Sequence, residues 1–195
     1  MTVRTVVVYP NPVLRTTCTS VDSVDESVLE LVQDLKDTCK AKHAQGLAAP
    51  QLGDTRRVFV TLLDGAEPAV FINPVLSEKL DPVKMNEGCL SFPGVEEVIP
   101  RFSDLVITAL DESGESFTLS LDGIEAVAVQ HEVDHLNGVL FIDHVSPLKR
   151  RIMVSRAAKH IPKKGATKRP VPSKRAAARQ ERKRQRTHKK RFATA

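Results

Sequence analysis

Asp122 to Gly138 reads DGIEAVAVQHEVDHLNG. Asp122 and Glu125 form a cap-like pair in front of this run, and Gly138 suits the position just past a helix end, so a helix is expected over Asp122–Asn137. Ile124, Ala126, Val127, Ala128, Val129, Val133 and Leu136 leave it almost no polar face, and a helix apolar on all sides is a buried one. Ionisable groups on such a helix are costly to place and need a reason. The spacing supplies one: His131 and His135, four apart, stack one turn from each other with Glu132 beside them. Two imidazoles so placed can share a metal that acidifies a water, while the glutamate takes and returns its proton. The bland alternative, two satisfied core histidines beside a chance glutamate, leaves three polar groups uncompensated in an apolar helix.

A catalytic centre of this kind needs a third protein ligand. Metallopeptidases that extend the motif to a third histidine would place it at 141, where this chain has Phe141. Beyond Asp143 the only acidic residue is Glu181. The third ligand is therefore expected upstream, in EGCLS at 87–91, where Cys89 would complete a soft Cys, His, His set with a fourth position open. Cys89 as a nucleophile with a histidine base is the alternative, and it leaves the histidine spacing unexplained. Cys18 in a Thr/Ser-rich loop and Cys39 on an apolar helix stripe read as packing residues.

Further out, Val28, Leu31, Val32, Leu35 and Cys39 predict an amphipathic helix over Val24–Ala41, with Ser23 and Glu26 as a capping box. QGLAAPQLG at 45–53 reads as a loop running into a strand over Arg57–Leu63. Val70–Ile72 should be a short strand ended by the Asn73, Pro74 turn, and Leu105–Leu110 with Ser116–Leu121 a hairpin across DESG. A last helix is expected from Pro147 to His160, with Leu148, Ile152 and Met153 on its apolar side.

The 195 residues contain 12 prolines, 9 glycines, one tyrosine and no tryptophan, which excludes collagenous and aromatic-repeat architectures. No apolar run approaches membrane-spanning length and no secretory leader is visible, so a soluble, unexported chain with no membrane partner is expected. The net charge of +5 hides an asymmetry. Residues 1–148 hold 10 Lys and Arg against 23 Asp and Glu, whereas residues 149–195 hold 19 against 1. A basic run with no aromatic interleaving fits phosphate binding without sequence preference.

QGLAAPQ at 45–51, EGCLS at 87–91 and QHEVDHLNG at 130–138 resemble, in order and separation, the three motifs of the peptide deformylases. Weaker likeness, from NPVLR through FINPVL to GVLFIDHVSPLK, extends the resemblance over about residues 5–160. It implies Cys89, His131 and His135 as ligands of one divalent metal, Fe(II) first with zinc, nickel or cobalt able to substitute. It implies Glu132 as general acid and base, and Gln51 with the backbone N–H of Leu90 as oxyanion donors. Gln45, Gly46 and Leu47, with Gly88, would hold the substrate backbone like an added strand. Ile124, Val127 and Ala128, one to two turns before His131 on the same face, would support an apolar side chain such as methionine. The reaction implied is hydrolysis of N-formyl-methionine on nascent polypeptides, releasing formate.

The expected fold is α+β: a central buried H-E-x-x-H helix surrounded by antiparallel sheet, then a C-terminal helix and a basic extension. Residues 1–160 would be the catalytic domain and 161–195 the Pro-interrupted extension, with 149–195 contacting ribosomal RNA or protein near the tunnel exit. A monomer in a bacterial or phage-infected cytoplasm is expected, an organelle being the other setting that holds formylated chains. Two positions depart from the family pattern. Ala44 stands where a glycine is usual, at about 1 kcal/mol of strain if that backbone is left-handed. Glu96 stands where many bacterial members have arginine near the side-chain pocket. The competing readings are a metallopeptidase and a catalytically silent ribosome- or RNA-binding module.

Overall fold

The computed structural model of the protein describes residues 2–62 and 67–160; the expected basic extension, 161–195, lies outside the described residues. The fold is mixed α/β, an antiparallel sheet with three helices. Helix α1 spans Glu26–Ala41, α2 Gly123–Leu136 and α3 Pro147–His160. The strands are β1 Gly46–Ala48, β2 Val58–Thr61, β3 Ala69–Cys89, β4 Phe92–Leu110 and β5 Ser116–Asp122. They lie in sequence order, each antiparallel to the next.

Alternation along β2 and β3 sorts the core into two layers. Val58, Val60, Val70 and Ile72 meet the α1 stripe of Val28, Leu31, Val32, Leu35 and Cys39. Phe59 and Phe71, from the same strands, point the other way and pack with Ala126, Val129, Val133 and Leu136 of α2. Because side chains alternate at period two, one short strand feeds both helices, which is why all four residues of β2 are buried. A third cluster joins Leu14, Phe92, Ile99 and Phe141 to Met153 and Ala157 of α3.

Several expectations need correction. The α1 cap is Asp25, whose side chain accepts from the Val28 N–H at 3.0 Å, and no Ser23–Glu26 box forms because the helix starts two residues later. Asp122 is the cap position of α2 but makes no side-chain cap bond. Residues 45–53 are no simple loop: Gly46–Ala48 pair with Phe59–Thr61, and Ala49–Leu52 form a 3-10 turn. Asn73 and Pro74 do not end a strand. Asn73 takes a left-handed backbone (φ 52°) at a register shift inside β3, and its amide bonds the Val21 N–H and carbonyl, both at 2.8 Å. On α3 the buried residues are Met153 and Ala157, whereas Leu148 and Ile152 are exposed, so the apolar side lies a few residues from where composition placed it. Cys18 and Cys39 are buried as expected, and burial pushes their thiols up to about 11 and about 12, so both stay protonated.

Candidate active site

The α2 helix sets His131 and His135 one turn apart, with ring centroids 5.0 Å from each other and ring planes at 79°. Strand β3 ends at Cys89 beside them, its Sγ 3.3 Å from His135 Nε2. One ligand atom from each of these three residues falls within a 4.8 Å group. Burial alone would raise the Cys89 thiol, but the two histidines hold it well below the usual thiol range. A thiolate with two imidazoles is a soft donor set that suits a divalent metal. The fit is sharpened by Glu132 Oε2, a buried atom with no hydrogen-bond partner among the described residues.

The ring of His131 is oriented from behind. Its Nδ1 lies 2.8 Å from Glu87 Oε2, leaving Nε2 as the nitrogen free to ligate. Glu87 is two residues before Cys89 on β3, so strand alternation gives both the same face. Its carboxylate also accepts two bonds from Arg101 of β4, at 2.7 and 3.1 Å. Arg101 then reaches Asp134 at 2.6 Å, and Asp134 meets His144 Nε2 at 2.6 Å. Burial would raise Glu87 and Asp134, but these partners hold both below the usual carboxylate range. Sequence reading missed this relay. Glu87 lay inside a quoted motif, but Arg101 is 14 residues from it and only the β3–β4 pairing unites them.

Gln51, in the 3-10 turn, is fixed at both ends of its amide. Its Oε1 accepts from the Ala48 N–H at 2.8 Å, and its Nε2 donates to Ser91 Oγ at 3.3 Å with Cys89 Sγ 3.6 Å away. Ser91 in turn donates to the Val7 carbonyl at 2.8 Å, so its hydroxyl faces Gln51 with a lone pair. Glu132 is buried at 4% exposure, and burial pushes its carboxyl up to about 7. It packs so closely on Gly46 that a Cβ there would lie 2.5 Å from Glu132 Oε1. No other residue fits in Gly46's place without moving that carboxylate.

A cavity of about 650 Å³ opens on these groups. Cys89, His131, Glu132, Gln51 and Leu90 line it, with Gln45, Gly46 and Gly88 on its backbone walls. Ile124, Val127 and Ala128 also line it; Val127 is buried, while Ile124 is 55% exposed at the rim, against the expectation of burial all round the helix. His135 is buried at 1%. Leu47 is the exception: its side chain is fully buried in the α1 layer and does not line the cavity, since its backbone pairs with Val60 of β2. Ala44 carries no left-handed strain; the positive φ at this bend, 51°, belongs to His43.

Residues 3–151 match the family model described as polypeptide deformylase. The chain belongs to the peptide deformylase family. A peptide deformylase from Neisseria gonorrhoeae is 42% identical over 152 residues, covering 77% of this chain and 91% of that protein. The crystal structure of a Legionella pneumophila peptide deformylase superposes with a TM-score of 0.78 at 36% identity, covering 81% of this chain and 95% of that one. A deformylase from Ehrlichia chaffeensis solved in complex with actinonin gives 0.78 at 33% identity, with 83% and 99% covered. As a peptide deformylase the chain is a metal-dependent hydrolase that removes the N-formyl group from the methionine of nascent polypeptides.

Proposed function

We propose that Cys89, His131 and His135 hold the metal, with Fe(II) the first choice and zinc, nickel or cobalt as substitutes, and that Glu132 is the general acid and base. The observation that carries this is the convergence of the three ligand atoms within 4.8 Å beside a buried Glu132 oxygen that has no partner among the described residues. The metal, when bound, supplies a Lewis acid and makes water more acidic. Glu132, with its carboxyl near 7, accepts the proton given up by water and returns it to the departing methionyl amine. The Gln51 Nε2 and the Leu90 backbone N–H donate to the oxygen that becomes anionic as the formyl carbon turns tetrahedral. Glu87 and Arg101 hold the His131 ring in place throughout.

The methionine side chain rests on Val127 and Ala128 with Ile124 at the mouth. The peptide backbone pairs with the open edge of β1 through Gln45 and Gly46, Leu47 serving by its main chain, with Gly88 across from them. Residues 1–160 act as the catalytic domain, a cytoplasmic monomer, and the basic residues of 149–195 bring it to ribosomal RNA or protein, where formylated chains emerge.

Formate release from a formyl-Met tripeptide tests the reading, using protein purified anaerobically and loaded in turn with Fe(II), Ni(II) and Zn(II). Wild type should turn over. Glu132→Ala should keep its metal and lose about 10²–10⁴-fold in kcat. Metal uptake without formate from any ion would favour the silent binding module instead.

A further inference from the structure

The carboxylates near the cavity are accounted for, with one exception. Glu87 is neutralised by Arg101 and His131. Glu97 pairs with Lys149 at 2.9 Å, and Glu132 is buried within the site itself. Glu96 is exposed on the cavity wall, accepts one hydrogen bond from the Asn86 amide at 3.0 Å, and has no cationic partner among the described residues. Its place is set by register. Glu96 lies opposite Gly88 in the β3–β4 pairing, and a Cβ on Gly88 would come within 3.3 Å of Glu96 Cγ. Since Gly88 directly precedes Cys89, this carboxylate stands one strand residue from the ligand cluster.

We propose that Glu96 is a specificity residue that favours formyl-methionyl chains carrying lysine or arginine within the two residues behind the methionine. The inference rests on the deformylase reading of the site. A peptide with its formyl group at Glu132 and its methionine on Val127 leaves the centre along the wall that Gly88 and Glu96 form. An extended chain advances about 3.3 Å per residue, so the next two side chains pass that wall, and a long cationic one can bring its head to Glu96. A carboxylate without a counter-ion at the edge of a low-dielectric cavity attracts such a head more strongly than one in open solvent. Lys42 and His43 line the cavity too, but they precede Gly46, the residue packed on Glu132, by four and three positions, and so act farther along the peptide.

The test compares kcat/KM for formyl-Met-Lys-Lys, formyl-Met-Ala-Ala and formyl-Met-Glu-Glu amides on the metal-loaded full chain at low and high salt. The lysine peptide should exceed the glutamate peptide by about 10-fold at low salt, mainly through KM, and the ratio should shrink as salt screens the pair. Glu96→Gln, which keeps an acceptor for Asn86, should bring the ratio below about 2-fold, and Glu96→Lys should invert it. Equal values for the three peptides in wild type overturn the proposal and leave the deformylase reading standing, as does a ratio that survives Glu96→Gln. No formate from any of the three overturns both.

Discussion

Gly46 shows how a single missing atom sets the chemistry. Its hydrogen faces Glu132, and a methyl group there would meet the carboxylate at 2.5 Å, well inside contact distance. Gly46→Ala should therefore fold and bind metal but lose roughly 100-fold in kcat/KM, because a displaced base costs far more than its small movement suggests. Metal content measured alongside formate release checks this; full activity in the alanine variant would show that Glu132 tolerates the shift. Glycine here answers to space and not to backbone angle. The left-handed residue of this bend is His43, with φ 51°, so alanine at 44 carries no left-handed strain.

Two predictions belong to the elements. Arg101 ties β4 to β3 and α2 while only 6% exposed. Arg101→Met should cost about 3–5 kcal/mol, since it leaves the buried Glu87, and the half-buried Asp134 beside it, without their cation. Arg101→Lys should not restore it, as an ammonium cannot make the two-pronged contact with Glu87. Urea unfolding of the three proteins decides the matter. The same relay sets an acid limit. Glu87 and Asp134 have folded-state values below their ordinary 4.5 and 3.8, so the unfolded chain takes up protons first. Stability from both is fully present above those ordinary values and is lost as pH falls through the lower folded ones. Unfolding midpoints between pH 6 and pH 3 should fall in wild type and fall less in Arg101→Met.

How much of this was legible in the sequence depends on whether an element buries a stripe. The Leu105–Leu121 hairpin emerged close to its true bounds and the α1 stripe was right residue by residue, whereas α3 was right in its bounds but not in the side it buries. The middle of β3 was invisible because Glu78 to Pro82 are exposed without a break, and a ribbon wet on both sides has no alternation to read. Asn73–Pro74 misled for a related reason. Such a pair commonly ends a strand, but here the Val21 backbone satisfies the asparagine amide and the strand continues. At the site, ligands and base were legible as motifs, whereas Arg101, Asp134 and His144 act only through pairings that tertiary structure creates.

For the whole molecule, the charge division makes its own prediction. A chain ending at His160 should release formate from free tripeptides with unchanged kcat/KM, since every group in the proposed site lies before that point. It should lose salt-sensitive co-sedimentation with ribosomes, because 14 of the 19 cations of 149–195 lie beyond residue 160. Co-sedimentation equal to that of the full chain at every salt concentration would place the contact elsewhere.

The end of α3 adds a geometric consequence. The His160 ring lies against Gly94, where a Cβ would come within 2.6 Å of it, and Gly94 lines the cavity. Helix α3 thus ends against the wall of the catalytic cavity. If the basic extension binds the ribosome as proposed, capture of a nearby chain end would become an intramolecular encounter, governed by effective concentration. Michaelis constants measured with free peptides would then understate how readily the tethered enzyme is saturated.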